Sequence, residues 1–325
     1  MLKLKQYVVT AAAVLAAAGA MASNFRAADQ IYLPIAGKVS TFKTDVFISN
    51  LSSDPVTVTF AVIKGDNASG TAINTNYTPI VLLANERREI IDFFATLNNE
   101  TGTGQVVLNA CKQGQDCSVL DINGENVNFR NISVESRIYS TDAATGNTVG
   151  QLFTGYPWYS YVSQNQANTN LDKVFITGLR QTGTTPGTFR SNIGVTNASQ
   201  FSSTTIHIEL FDKMGNAQGT KDIALGPLGQ SQQNIAAMFP NYSGPTATGG
   251  WVRVSQISVS PTTDAGANGC PDGCPGFFTY GSVLDNGSTD PTTMEAQYTQ
   301  SLSSTVLLVL YPSAAGKGIH RAAKH

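Results

Sequence analysis

Few residues in the chain have the types and spacing that catalysis requires. The three histidines are His207, His320 and His325, and none stands beside a hydroxyl or thiol nucleophile in a recognisable motif. The sequence also lacks the G-x-S-x-G nucleophile elbow, the H-E-x-x-H zinc motif and a phosphate-binding P-loop. We therefore predict that the protein is not an enzyme and that it holds no cofactor.

The segment 86–92 contains the candidate carboxyl groups for glycoside hydrolysis, a reaction that uses a pair of them. Glu86, Glu89 and Asp92 are close together, but Arg87 and Arg88 lie between them. Alternating charge of this kind is typical of a solvent-exposed strand edge. We favour that interpretation over a catalytic pair.

A second group of oxygen-bearing side chains surrounds Gly287 and includes Asp285, Asn286, Ser288 and Asp290. Calcium prefers such oxygen ligands, but the spacing lacks the alternation and the terminal glutamate of an EF-hand loop. A hairpin turn explains the same residues, so we predict no metal site.

One aromatic segment is a candidate binding surface. Tyr156-Pro157-Trp158-Tyr159-Ser160-Tyr161 contains three tyrosines and one of the two tryptophans of the chain. Aromatic rings stack on sugars and on the side chains of partners, so Tyr156, Trp158, Tyr159 and Tyr161 are candidate contacts with a ligand or partner. The alternative is an interdomain strand whose rings pack against the second half of the chain.

Four cysteines form two closely spaced pairs, Cys111 with Cys117 and Cys270 with Cys274. Neither pair has the C-x2-C spacing of a zinc knuckle, and no histidine lies near either pair. An even number of cysteines in an exported chain indicates disulfides. We predict the two local bridges, Cys111–Cys117 and Cys270–Cys274.

The elements that must position these residues alternate with a period of two. In Val56-Thr57-Val58-Thr59-Phe60 the apolar side chains share one face, and in 205–210 three aliphatic residues do so while His207 lies on the opposite, solvent-facing side. This period predicts half-buried antiparallel strands. Only 91–97 and 235–239 have the pattern of short helices.

The two halves of the chain resemble each other. The segment Thr41–Asn50 matches Thr188–Asn197 at an offset of 147 residues, and Gly104–Val107 matches 249–252 at an offset of 145. In that alignment Trp251 takes the core-facing place of Val106, so we predict that Trp251 is a core residue. Segments that recur in one order at nearly constant spacing indicate a duplicated domain.

The predicted fold class is all-β. We expect two tandem antiparallel β-sandwich domains, immunoglobulin-like in architecture and each with one short helix, after an N-terminal signal peptide. The predicted boundaries are a signal peptide at 1–22, a first sandwich at 23–162, a linker at 163–172, a second sandwich at 173–312 and a basic tail at 313–325.

The order of these segments resembles a largely uncharacterised family of exported bacterial proteins with tandem immunoglobulin-like repeats. The resemblance rests on the Thr-Phe-Lys/Arg strand, the short helix, a strand that begins with glycine, and Phe278–Asn286 ahead of Asp290-Pro291. The first copy departs from the pattern at Arg137–Thr141. The resemblance implies an exported scaffold or interaction module with no reaction and no catalytic residues.

Composition and the N-terminus indicate the compartment. Only 13% of residues are charged and the formal net charge is -2, so electrostatics do not favour a nucleic-acid partner. Lys3 and Lys5 precede an apolar run, Val8–Ala20, which is too short to span a bilayer. We expect an exported protein of the periplasm, the cell surface or the medium, with no transmembrane segment in the mature chain.

The predicted function is that of a non-catalytic structural or binding protein of the cell surface or the extracellular medium. Its expected partners are a glycan or another surface protein. Two alternatives stay open, a secreted carbohydrate-binding or carbohydrate-active protein, and a surface fibre subunit assembled by strand exchange through the apolar segment Ser304–Tyr311.

We predict that the mature protein begins at Ser23. Ala20-Met21-Ala22 places small residues where signal peptidase requires them. N-terminal sequencing of the exported protein is expected to read Ser-Asn-Phe. An exported product that retains Met1 would contradict the prediction.

Overall fold

Strands with alternating side chains make up most of the chain. The computed structural model describes residues 27–65, 73–117, 127–141, 145–158, 173–199, 202–244, 247–260, 276–288 and 290–298. The sequence predictions for the signal peptide, Tyr159, Tyr161, Cys270, Cys274, the linker at 163–172, the segment Ser304–Tyr311 and the C-terminal histidines lie outside these residues.

The first half of the chain forms two antiparallel sheets. Its strands are β1 (Ala27–Ala28), β2 (Gln30–Lys38), β3 (Phe42–Asn50), β4 (Val56–Lys64), β5 (Ile73–Asn74), β6 (Ile80–Leu82), β7 (Arg87–Ile90), β8 (Gly102–Lys112), β9 (Ile132–Thr141), β10 (Thr148–Thr154) and β11 (Tyr156–Pro157). Sheet A has the order β7-β3-β9, and both β1 and β10 pair with β9. Sheet B has the order β11-β2-β8-β4, and both β5 and β6 pair with β4.

The second half forms two antiparallel sheets with a similar strand order. Its strands are β12 (Lys173–Arg180), β13 (Phe189–Asn197), β14 (Ser203–Phe211), β15 (Ala217–Leu225), β16 (Gln230–Asn234), β17 (Thr248–Ser260), β18 (Phe277–Asp285), β19 (Pro291–Glu295) and β20 (Gln297–Tyr298). Sheet C has the order β16-β13-β18-β19, and sheet D has the order β15-β14-β17-β12-β20. The predicted all-β class with antiparallel sandwich domains is confirmed.

Alternation along the strands builds one core in each half. On β4, Val56, Val58 and Val62 are fully buried, and on β14, Ile206 and Ile208 are fully buried. These side chains join residues of the facing sheet in one apolar cluster per half. Each half is therefore a sandwich, and we call them the first and the second sandwich.

Each sandwich has one single-turn helix whose apolar side chains join its core. Helix α1 (Phe93–Thr96) buries Phe93 and Phe94, and helix α2 (Ile235–Met238) buries Ile235 and Met238. They lie within the predicted segments 91–97 and 235–239. In the described residues no helix has the length and apolar character needed to cross a bilayer.

Trp251 is not a core residue, so the prediction for it was wrong. The core positions of β17 are Val252 and Val254, whereas Trp251 lies half-buried on the outer face of sheet D and stacks on Phe211 with 4.1 Å between ring centroids. The residue that matches Val106 in the sheet is Val252, because each pairs with a buried aliphatic residue on both neighbouring strands. The alignment was one residue out of register, and a one-residue shift moves a strand side chain to the opposite face.

The disulfide between Cys111 and Cys117 is confirmed. It joins the end of β8 to the turn that follows, and the Cα atoms are 5.9 Å apart. A reverse turn, in which the amide of Gln115 donates to the carbonyl oxygen of Lys112 at 3.1 Å, brings the two cysteines together. The bridge closes a small peripheral loop.

Replacing Cys111 and Cys117 together by serine is expected to lower the free energy of unfolding by about 2 kcal/mol, because a loop of this size restricts the unfolded chain only modestly. Urea unfolding followed by circular dichroism measures the change. We expect an earlier midpoint with an unchanged slope and an intact native β-sheet spectrum. An unfolded double variant would contradict the prediction, since the bridge would then be required for the fold.

Candidate functional site

Two of the three carboxyl groups of the segment 86–92 contact basic side chains. Glu86 accepts a hydrogen bond from Arg88 Nε at 2.8 Å, and Asp92 lies 3.4 Å from Lys38 and 3.2 Å from Lys43. The Leu83 amide and Arg88 lower the pKa of Glu86. A general acid needs a raised pKa, so Glu86 lacks the environment of a catalytic acid.

The oxygen-bearing group around Gly287 forms a turn. Asp285 Oδ1 accepts hydrogen bonds from the amides of Gly287 at 2.7 Å and Ser288 at 3.4 Å. The Gly287 amide is the main reason why the pKa of Asp285 is lowered. Among the described residues no cluster of three or more His, Cys, Asp or Glu side chains is arranged to hold a metal ion.

His207 lies on the outer face of sheet D, as the alternation predicted. Its neighbours Ile206 and Ile208 are fully buried in the core, and its ring nitrogen Nδ1 forms a hydrogen bond with Asp222 on the adjacent strand β15. The histidine is therefore part of a cross-strand polar pair on the sheet surface.

Tyr156 and Trp158 both contact other parts of the chain. The ring of Tyr156 stacks on Phe278 of the second sandwich, with 5.0 Å between centroids and 23° between planes, and its hydroxyl donates to the carbonyl oxygen of Thr279 at 3.2 Å. Trp158 Nε1 donates to Asp29 Oδ1 at 2.9 Å. The contact of Tyr156 is of the interdomain kind that the sequence left open as an alternative.

The outer face of sheet C packs against the outer face of sheet B in the first of two apolar contacts between the sandwiches. Phe278 on β18 lies against Tyr32, with 5.1 Å between ring centroids, and both rings are almost fully buried. Ile63 and Val107 of sheet B belong to the same apolar cluster, as does Leu228 of the second sandwich. Burial raises the pKa of the Tyr32 hydroxyl well above its usual value.

A second apolar contact lies further along β18. Tyr280 meets Phe153 edge to face, with 5.3 Å between centroids, in a cluster that includes Ile35. The Tyr280 ring extends across β13 at Gly194, where any side chain would collide with it. Its hydroxyl donates to Gln232 Oε1 on β16 at 2.7 Å. Glycine at position 194 therefore lets one residue of β18 fix the orientation of an amide two strands away.

A cleft of about 260 Å³ lies beside this contact, between the sandwiches. It is lined by Ile35, Gly37, Val39, Phe42, Thr103, Ile138 and Gln151 of the first sandwich and by Arg190, Asn192, Gln232, Ser282, Leu284 and Pro291 of the second. Pockets at domain interfaces with apolar walls and a few converging polar groups are typical ligand sites. We call it the interdomain cleft.

The apolar wall of the interdomain cleft is accessible to solvent. Phe42 is 38% exposed and Val39 is 44% exposed, at the point where β2 turns into β3. The backbone amide of Phe42 donates to the carbonyl oxygen of Val39 at 2.9 Å, which ties the two residues together. An exposed ring is thus fixed at the mouth of the cleft.

The amides of the interdomain cleft have fixed orientations. Gln151 Oε1 accepts a hydrogen bond from the Ser282 hydroxyl at 3.2 Å, and Asn192 Oδ1 accepts one from Asn234 Nδ2 at 3.2 Å. Gln232 accepts from Tyr280, as described above. Each carbonyl oxygen has a donor within the protein, whereas the amide nitrogens have no acceptor among the described residues, so these nitrogens are available to bind a ligand.

Sequence reasoning did not find this site. Phe42 and Arg190 both lie in the repeated Thr-Phe-Lys/Arg segment and were used only to align the two halves. The remaining lining residues come from several strands of both sandwiches. The sequence contains no signal that shows which outer sheet faces of the two sandwiches meet. The one available signal was the sequence match between 41–50 and 188–197, since these segments contain β3 and β13.

Comparison with known proteins identifies no family. No protein-family model and no curated relative matches the chain. Among solved structures, the chain is similar to a biofilm-associated protein BSP domain, with 11% identity and a TM-score of 0.20 over 84% of this chain and 59% of that one. It is also similar to Bacteroides uniformis beta-glucuronidase 2, with 7% identity and a TM-score of 0.15 over 78% of this chain and 24% of that one. The chain thus spans less than two thirds of either protein, and similarity at this level carries no functional conclusion.

Leu228 packs in the contact between the two sandwiches, and its backbone has a positive φ that is unfavourable for leucine. It has a φ of 52°, a left-handed conformation that β-branched and other bulky side chains rarely adopt. The corresponding residue of the first sandwich is Asn85, which also lies two residues before its strand and has a φ of 58°. Asparagine tolerates this conformation, so leucine at 228 is explained by its burial against Tyr32 and Phe278.

We predict that Leu228→Ala and Leu228→Gly both destabilise the protein and that the alanine variant is the less stable. Both variants lose the buried side chain, but only glycine removes the left-handed strain, which is worth about 1 kcal/mol. Urea unfolding of the two variants measures the difference. A glycine variant less stable than the alanine variant would show that the backbone at 228 is not strained.

Proposed function

We propose that the chain is an exported, non-catalytic binding protein whose ligand site is the interdomain cleft and whose ligand is a carbohydrate. The observation that carries this proposal is the composition of the cleft, in which an exposed aromatic ring and aliphatic side chains face three oriented amides. A sugar ring offers C–H groups to the first kind of surface and hydroxyl groups to the second. The ring of Phe42 offers an apolar face to the C–H groups, and the amides offer hydrogen bonds to the hydroxyl groups.

Export is supported by the disulfide and by the N-terminal segment. Disulfides persist in oxidising compartments and are rare in the cytosol. The Cys111–Cys117 bridge therefore agrees with the export signal expected at 1–22. A binding site on an exported protein meets ligands of the cell surface or of the medium, and glycans are abundant in both.

Binding without reaction is supported by the residues of the cleft. Its lining contains one charged side chain, Arg190, and no histidine, cysteine, aspartate or glutamate among the described residues. General acid–base catalysis requires a side chain that exchanges a proton near neutral pH, and arginine stays protonated. The amides and the Ser282 hydroxyl orient a ligand, whereas none of these groups has a base beside it in the cleft.

The test is a glycan array followed by titration calorimetry with the best ligand. The array carries terminal glucose, galactose, mannose, N-acetylglucosamine, glucuronic acid and galacturonic acid. We expect binding by the mature protein and a roughly tenfold higher Kd for Phe42→Ala, equivalent to about 1.4 kcal/mol. The matched control is Met214→Ala, because Met214 is 76% exposed on a hairpin turn outside the cleft.

Both variants are expected to unfold at the wild-type temperature, since neither side chain is buried. A wild-type protein that binds none of the six sugars would overturn the proposed function. Equal loss of binding in Phe42→Ala and Met214→Ala would place the ligand elsewhere.

A further inference from the structure

The interdomain cleft is lined by one guanidinium and by three amides whose NH₂ groups have no acceptor among the described residues. We infer that it selects acidic saccharides, which carry one negatively charged oxygen group on a sugar ring, and that Arg190 binds this group. The inference rests on the proposed function, because it specifies the ligand class of the same cleft. It goes further in assigning the charge of the ligand and the residue that recognises it.

Hydrogen bonds within the protein fix the orientation of the three amides that line the cleft. The carbonyl oxygens of Gln151, Asn192 and Gln232 accept from Ser282, Asn234 and Tyr280, respectively. Gln151 Oε1 also accepts from a second hydroxyl, that of Thr293, at 3.4 Å. The three NH₂ groups have no acceptor among the described residues. A ligand that satisfies them must supply oxygen acceptors.

Arg190 differs from the other described arginines in its side-chain partners. Arg88, Arg130 and Arg253 contact Glu86, Asp54 and Glu209, respectively, and Arg87 lies 4.0 Å from Glu135. Arg137 donates to Thr148, and Arg180 lies over the Phe189 ring. Arg190 alone, within the part of the chain that the structure describes, has no acidic, hydroxyl or aromatic partner.

The described residues that line the cleft include no aspartate or glutamate that could pair with Arg190. Arg190 pairs with Leu284 on the neighbouring strand β18, and Leu284 also lines the cleft. The next residue, Asp285, points to the opposite face of sheet C because side chains alternate along a strand, and its Oδ1 accepts from the Gly287 amide. A guanidinium binds an oxyanion through two parallel N–H donors, and this is among the strongest hydrogen-bonding geometries in proteins.

The volume of the cleft limits the size of the ligand. A volume of about 260 Å³ lies below the range of roughly 300–1,000 Å³ typical of pockets for drug-sized ligands. The cleft therefore accommodates one sugar ring rather than an oligosaccharide. With Phe42 at its mouth and Arg190 among its polar residues, it is suited to the terminal acidic residue of a longer glycan.

The test compares sugars that differ only in the charged group. Methyl glucuronide and methyl glucoside form one pair, and galacturonic acid and galactose form a second. Titration calorimetry with the full mature protein is expected to give a Kd at least tenfold lower for the acidic member of each pair. Glucose 6-sulfate distinguishes a carboxylate from a sulfate as the recognised group. Tighter binding of either anion than of glucose supports the inference.

Arg190→Gln removes the charge and keeps an amide in its place. We expect this variant to lose about tenfold in affinity for the acidic sugars and to bind the neutral sugars within twofold of wild type. The matched control is Lys213→Gln, which makes the same charge change at an exposed turn outside the cleft. It should leave both affinities unchanged. Raising the salt concentration from about 0.05 M to about 0.5 M should weaken only the acidic ligands.

The outcomes separate the two proposals. One outcome is that acidic and neutral sugars bind equally, that Arg190→Gln has no effect, and that Phe42→Ala weakens the binding of both. In that case the cleft is a carbohydrate site, but the inferred selectivity for charge is wrong. If the wild-type protein binds none of these sugars, the proposed function fails and the inference fails with it. If Lys213→Gln lowers the affinity for acidic sugars as much as Arg190→Gln, the effect comes from overall charge and the assignment of Arg190 is overturned.

Discussion

The arrangement of the two sandwiches depends on the burial of Phe278. Its ring lies between Tyr32 and Tyr156 of the first sandwich, at centroid distances of 5.1 and 5.0 Å. Without this contact the outer face of sheet C would expose Phe278, Tyr280 and Leu284, all of which are buried. The hydrophobic effect therefore holds two sandwiches side by side, each of which already has a core of its own. The interdomain cleft follows from this contact, because its walls come from both sandwiches and neither alone contains the site.

Polar groups buried on the facing strands oppose this packing. Gln105 lies on β8 on the same face as Val107, is fully buried, and neither atom of its amide has a hydrogen-bond partner among the described residues. Thr196 on β13 likewise has a buried hydroxyl with no such partner. Each unpaired group costs about 1–3 kcal/mol, which is comparable to the gain from burying one large apolar side chain. The aromatic contacts must exceed these costs, so the interface is less stable than its apolar residues alone would suggest.

Alternation predicted the strands, because a period of two specifies both the strand and its buried face, and the short, regularly spaced strands predicted the sandwich architecture. It placed Ile206 and Ile208 in the core and His207 on the surface, and spacing alone paired Cys111 with Cys117. Trp251 was misplaced because a single residue of alignment error reverses a strand's faces. The cleft could not be predicted, since it depends on which outer faces meet. The charged state of Arg190 is evident from sequence, but the absence of a partner is a property of the packed sheets.

The face that the second sandwich buries has no counterpart on the first. By strand register, Phe278, Tyr280 and Ser282 of β18 correspond to Ser133, Glu135 and Arg137 of β9. Glu135 and Arg87 form an exposed ion pair there, and burying such charges in a repeat of the same contact would be costly. A heterologous contact grows into a filament only when each unit offers both complementary surfaces. A repeat of this contact on the sheet A of a neighbouring molecule would therefore bury the Glu135–Arg87 ion pair, so the outer face of sheet C is matched to sheet B rather than to a second copy of sheet A.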